Sequence, residues 1–246
     1  MTEVVACLAT IPPRHKELRL VCESLLPQVD RLFIYFNGYS EDSIPTWAKL
    51  MSKVVWECSE TSGYGDLGDV GKFFFASEDM RERYKIHGDV FTCDDDIVYP
   101  EWYVDSTRKH LGSERFQNSI LTYHGSVLPR KCRNYHKQKR CYAVRATVSK
   151  LTRVHVGGTG CMSFRVPRFR YHLSMFAEPN MADIFVAEWA KRSKVSLFVL
   201  PHLKGDFKIL PLDDTIWHST HSRDGSEKDK SFHTNRIVSS WRWEIF

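Results

Sequence analysis

The chain has no apolar stretch long enough to cross a bilayer as a helix, no Cys-x-x-Cys pair, no internal repeat and no low-complexity tract. The first absence argues against a membrane-spanning protein, because a helix needs about 20 consecutive apolar residues to cross the hydrocarbon core. Seven cysteines, at 7, 22, 58, 93, 132, 141 and 161, are odd in number and lack the spacing of a zinc or redox motif. They fit a reduced compartment better than a disulfide framework, and most read as small core residues. The opening MTEVVACLATIPPR lacks a basic n-region and meets Pro12-Pro13 after a short apolar run, which predicts no signal peptide and a cytoplasmic location. Acid is missing from residues 130–153, which hold nine Lys or Arg. Such a run reads either as a solvated, mobile loop or as a surface for an anionic partner. Its only aromatics are Tyr135 and Tyr142, too few for the stacking surface that single-stranded nucleic acid requires. Nucleic acid is therefore not expected as a partner, and any membrane contact should be peripheral.

What is present fits an ordinary folded domain. With 246 residues, 42% hydrophobic and 26% charged, the chain can bury one substantial core. VVACLAT reads as a strand buried on both faces, and Leu18, Val21, Cys22 and Leu25 then recur at helical spacing until Pro27. RLFIYFNGY and KVVWE follow as strands. Strand, helix, strand with short links opens a parallel α/β sheet. GYGDLGDVGK leads into FFFASEDMRERY, read as a helix, and GDVFTC is the next buried strand. A helix is expected from Pro100 to about Lys109, a strand over SILTYHGSVL, and a strand with a glycine bend over VHVGGTGCMSFR. NMADIFVAEWAKR is the clearest helix, with Ala182, Phe185, Val186, Trp189 and Ala190 on one face. SLFVLPH is a final short strand, and in the polar tail SRDGSEKDKS reads as a mobile loop.

GDVFTC ends in three carboxylates, Asp94, Asp95 and Asp96. Adjacent like charges repel, so something must compensate them: a divalent cation on hard oxygen ligands, or water around a surface turn. Ligands of open parallel sheets bind beyond the carboxyl ends of strands. Those positions hold Thr10 to Arg14, Asn37, Asp94 to Asp96 and Gly157 to Gly160, a mixture of oxygen ligands, amides and a cation that suits a nucleotide diphosphate with a divalent ion. Duller readings stand beside each. Arg14 and Lys72 can be surface cations at helix starts, Thr10 a strand end, and Asp69 a cap; Asn180 as N-cap would place Asp183 at N3, where a carboxylate favours any helix.

ATIPPR, YFNGY, GDVGKF, FTCDDDIVYP, GGTGCMSFR and NMADIFVAEWAKR, in this order, resemble the small GT-A fold glycosyltransferases (family 2-like) of bacterial and viral surface polysaccharide synthesis. The resemblance spans roughly residues 4 to 203. It implies one α/β, Rossmann-like GT-A domain with a mostly parallel central sheet flanked by helices. Within it, 1–100 would bind a nucleotide-sugar donor, 101–210 the glycan or glycolipid acceptor, and 211–246 would form a tail or lid. By resemblance, Asp94 lies near the ribose or metal, Asp96 is the principal ligand of Mn²⁺ or Mg²⁺, and Asp95 supports them. Thr10, Pro12, Arg14, Asn37, Asp69 and Lys72 map onto the nucleotide site, with UDP the favoured nucleotide. Asp183 maps onto the base that deprotonates the acceptor in an inverting transfer, and Glu178 and Glu188 stand behind it. His218, or else His221, maps onto a further metal ligand. Gly157, Gly158 and Gly160 let backbone approach the donor sugar, or form a bulge. Two other readings remain: a sugar-phosphate nucleotidyltransferase, disfavoured because ATIPPRHKE contains no glycine, and a non-enzymatic anion-binding module.

Overall fold

The run Val4–Thr10 forms β1 near the middle of an eight-stranded sheet in the computed structural model, which describes residues 2–166, 168–211 and 231–243. The chain continues through α1 (His15–Leu25), β2 (Arg31–Phe36), α2 (Thr46–Leu50), β3 (Val54–Cys58) and β4 (Asp89–Cys93). β1 pairs in parallel with both β2 and β4, and β2 pairs in parallel with β3. Side chains on these strands alternate between two apolar layers. Ala6, Leu8, Leu32 and Ile34 join Leu18, Val21, Cys22 and Leu25 of α1, whereas Val5, Cys7, Phe33 and Tyr35 face Phe73, Phe74 and Phe75. Burial on both faces explains why the strands read as continuous apolar runs.

Past β4 come β5 (Ile97–Val98), α3 (Tyr103–Leu111), β6 (Ser119–Thr122), β7 (Gly125–Val127), α4 (Tyr135–Gln138), β8 (Arg140–Tyr142), β9 (Thr152–Val154), β10 (Val156–Gly157) and β11 (Cys161–Arg165). Then follow α5 (Ala182–Arg192), β12 (Ser196–Val199), β13 (Lys208–Ile209) and α6 (Ser231–Ser239). The large sheet has the order β3-β2-β1-β4-β11-β6-β12-β9. β11 runs antiparallel to both β4 and β6, and β9 antiparallel to β12; the other six strands point one way. The expected α/β architecture with a mostly parallel central sheet flanked by helices is the one observed. A small sheet, β10-β7-β8, stands beside it, and β13 pairs with β5.

Several local expectations need correction. FFFASEDMRERY is not an α-helix: a 3₁₀ turn over Gly68–Phe73 gives way to irregular turns through Lys85. Phe73, Phe74 and Phe75 are all fully buried, and three consecutive residues cannot share one helical stripe. SILTYHGSVL splits into β6 and β7, and VHVGGTGCMSFR into β10 and β11, each pair divided between two sheets. SLFVLPH contains β12, which is an interior strand of the large sheet rather than the last element. The basic segment is folded: it holds α4 and β8, with Cys132 and Tyr135 buried against Val238 of α6. At least 231–243 of the tail is therefore docked, because Val238 and Trp243 pack in the same apolar cluster as Ile184 and Ala187 of α5. SRDGSEKDKS falls almost wholly outside the described residues.

Candidate active site

Because β11 runs back along β4 with Cys161 opposite Cys93, the glycine bend 157–160 arrives beside the aspartate triplet. Asp94 donates its backbone N–H to Gly160 O at 3.2 Å, and the Tyr99 hydroxyl bonds the same carbonyl. Gly160 has no left-handed backbone; glycine is there for room. A Cβ at this position would fall 1.9 Å from Asp94 Oδ2.

Two cations reach the triplet from two different elements. The 3₁₀ turn Pro12–Arg14 follows β1 directly, and Arg14 Nη1 donates to Asp95 Oδ1 at 2.5 Å, both side chains buried. Burial pushes the Asp95 carboxyl above its ordinary range, with Arg14 and the neighbouring Thr10 pulling it back. Lys72, only 4% exposed, pairs with Asp94. Burial works against its charge, but Asp94 and Asp69 more than offset this and keep it protonated. Among the described residues Asp96 has no such partner. Burial first, then Asp94 and Asp95, raise its carboxyl to about 7.

Asp69 occupies both its oxygens elsewhere. It accepts backbone N–H bonds from Asn180 at 2.7 Å and Ala182 at 3.1 Å, so it caps α5 across the fold. This corrects the local capping expectation. The N-cap residue is Met181, Asn180 lies outside the helix at φ +61°, and Asp183 is the second helical residue rather than the third. Burial pushes the Asp69 carboxyl up to about 6, opposed mainly by Lys72 and the two N–H groups. Asp183 in turn accepts from Thr159 N at 2.8 Å and Thr159 Oγ1 at 2.7 Å. The first turn of α5 is thus fixed to the glycine bend and held over the same end of the sheet.

Asn37 and the glycines play supporting parts. Asn37 Nδ2 donates to Gly68 O and its Oδ1 accepts from Leu67 N–H, both at 2.9 Å, so this side chain shapes the loop that carries Asp69 and Lys72. Pro12 lies near the turn glycine Gly38, whose φ is +70°. Gly158 sits flat on His124, and a Cβ there would meet the ring at 2.8 Å. Glu188 leaves the site: it accepts from Arg192 and Trp241. His218 and His221 lie outside the described residues. Sequence reasoning passed over Thr159; a hydroxyl between two glycines beside a helix start was the available signal. It also passed over Lys139, which stacks 4.1 Å over the Tyr135 ring and reaches Asp183 electrostatically from the basic segment.

Five carboxylates, Asp69, Asp94, Asp95, Asp96 and Asp183, therefore meet two buried cations, Arg14 and Lys72. At the other end of β4 the buried Asp89 is answered by two arginines of its own, Arg108 and Arg165. Among the described residues no three His, Cys, Asp or Glu side chains converge as a metal cage. The donors nonetheless fit a hard divalent cation in kind, as carboxylate oxygens carrying surplus negative charge. One or two carboxylates with phosphate oxygens and water are the usual setting for Mg²⁺ beside a nucleotide.

No family model and no curated protein matches the chain. Solved structures do. A candidate nucleotide-diphospho-sugar transferase from Desulfovibrio desulfuricans G20 is 14% identical over 98% of this chain and 95% of that one, with a TM-score of 0.44. Inositol-1-phosphate CTP transferase from T. maritima is 11% identical over 96% of each chain, with a TM-score of 0.50. At these identities the likeness is one of fold. No helix among the described residues is long and apolar enough to cross a membrane.

Proposed function

We propose that this chain is a metal-dependent glycosyltransferase that moves a sugar from a nucleotide diphosphate, a UDP-sugar foremost, to a hydroxyl of a glycan or glycolipid, with inversion. The observation that carries this reading is the shortage of positive charge, among the described residues, at the end of β4, with a carboxylate, Asp183, anchored by Thr159 to the glycine bend at the same end of the sheet. Asp94 and Asp96 would hold Mn²⁺ or Mg²⁺. That ion, when bound, supplies positive charge to the diphosphate as the sugar leaves. Lys72 and Arg14, both kept charged by the triplet, exchange part of that pairing for phosphate oxygens. Asp183 takes the proton of the attacking hydroxyl, which is far too weak an acid to ionise unaided. Lys139 and the basic hairpin on that side suit an acidic or lipid-diphosphate-linked acceptor.

The fold shared with a CTP transferase keeps nucleotidyl transfer as a second reading. Against it stand Pro12 and Pro13 immediately after β1, which have no N–H with which to wrap a triphosphate. Incubation with Mn²⁺ and a panel of nucleotide sugars separates the readings. Release of nucleoside diphosphate is the expected result. Exchange of labelled pyrophosphate would replace it by nucleotidyl chemistry, and binding with no turnover would leave an anion-binding module.

Gly160→Ala tests the geometry. The added Cβ must displace the half-buried Asp94 carboxylate, which can swing outward, so the variant should lose only about 1 to 2 kcal/mol of stability. Affinity for UDP in the presence of Mn²⁺, by calorimetry, should fall at least about tenfold, equivalent to roughly 1.4 kcal/mol. Undiminished affinity would separate Asp94 from the nucleotide.

A further inference from the structure

Away from the aspartates, toward the other end of α5, the packing fails to close. A cavity of about 430 Å³ lies between that helix, the edge strand β9 with its neighbour β12, and Trp243. Its apolar wall includes Leu197 and Trp243, and small residues on α5, Ala187 and Ala190, leave the space open. It opens to the surface, and its volume is that of a small-ligand site.

The charge in its lining has one sign. Arg153, Lys191 and Lys194 line it, and among the described residues no Asp or Glu does. His155 reports the resulting field: its ring is driven to about 4 by burial first and then by Lys191 and Arg153. Leu128 N–H donates to His155 Nδ1 at 2.8 Å, so the neutral ring carries its proton on Nε2, and that buried nitrogen has no hydrogen-bond partner among the described residues.

Lys194 adds an independent observation. It occupies the residue after the α5 cap at φ +55°, where Val195 N–H bonds Ala190 O at 2.8 Å and Lys194 N–H bonds Lys191 O at 3.3 Å. This double bond pattern ordinarily takes glycine, since a side chain in the left-handed region is strained. Here a cation is kept in the strained place, facing the cavity.

We propose that this cavity is a second ligand site, separate from the aspartate cluster, for a single-tailed amphipathic anion whose apolar body lies against Leu197 and Trp243 while its head meets Lys194 and Arg153. The site takes no part in the sugar-transfer reading, and its test is a binding measurement that stands whether or not that reading does.

Octyl phosphate below its micellar concentration, titrated calorimetrically into the full chain, is the probe. It should bind at least about tenfold more tightly than octyl glucoside, which has the tail without the charge, or than inorganic phosphate, which has the head without the tail. Lys194→Gly should weaken octyl phosphate at least about tenfold while Tm stays at or above the parent value, because glycine relieves the backbone. Lys109→Ala, which removes the same charge from exposed α3, should leave binding unchanged. Equal binding of octyl glucoside, or parental binding by Lys194→Gly, would overturn the site. Binding to vesicles containing phosphatidylglycerol with none to octyl phosphate would also overturn it, in favour of a membrane surface.

Discussion

Asp96→Asn is expected to lower sugar transfer at least about 1,000-fold, since the several kcal/mol that a bound cation contributes to a charged transition state corresponds to about that factor. The stability of the ligand-free protein should move the other way. Burial and two neighbouring carboxylates raise the Asp96 carboxyl from 3.8 to about 7. A carboxyl raised on folding binds more protons in the native state, so its contribution is present at pH 4 and lost as pH climbs through about 7. Asparagine has no such loss. In a chelator, thermal unfolding should place the variant at or above the parent at pH 8, with a shallower decline between pH 5 and 8. Loss of activity with gain of stability is the signature of a group kept for chemistry at the expense of the fold. Retained metal-dependent transfer would refute the role, and a lower Tm at pH 8 would make Asp96 structural.

The aspartates were legible because the strand before them was. GDVFTC is buried on both faces, its end is fixed by that burial, and strand ends in a parallel sheet are where ligands bind. Arg14 and Lys72 were legible only as candidates, since their partners Asp95 and Asp94 are 81 and 22 residues distant and no local pattern encodes the pairing. Asp183 was assigned the right end of the right helix for an incomplete reason. The local rule named Asn180 as cap, but the structure brings Asp69 across 111 residues to do that work, leaving Asn180 at positive φ. Such a contact depends on the loop over residues 67 and 68, itself tied down by Asn37.

The misread segments share one cause. FFFASEDMRERY has the composition of a helix, yet Phe73 stacks on Phe176 while Phe75 stacks on Phe33, and tertiary partners on different sides override the local preference. Nine cations without an acid suggested a mobile loop; Cys132 and Tyr135, spaced among them, find apolar partners on α6 that sequence distance hides. The strands β7, β8 and β10 are two or three residues long, too short for a period-two pattern to register.

The second large effect separates Asp183 as an anchor from Asp183 as a base. Asp183→Asn keeps an Oδ1 that can accept from both Thr159 N–H and Thr159 Oγ1–H, so the tie between α5 and the glycine bend survives. What is lost is the capacity to take a proton. The expected result is a fall in kcat of about 10² to 10⁴, the usual worth of a positioned general base, with Tm and UDP affinity in Mn²⁺ close to the parent. Asp183→Ala removes the two Thr159 bonds as well, so it should lose activity and also unfold earlier by about 1 to 3 kcal/mol, leaving the Thr159 N–H buried without a partner. If the two variants lost activity equally but the asparagine also lost stability, the carboxylate charge would be holding the helix rather than acting on substrate. An asparagine variant with parental kcat would end the assignment. The stereochemistry gives an independent check, because a single displacement assisted by one base inverts the anomeric carbon, and an NMR spectrum of the product with retained configuration would require a nucleophile that Asp183, bound to Thr159, is not placed to be.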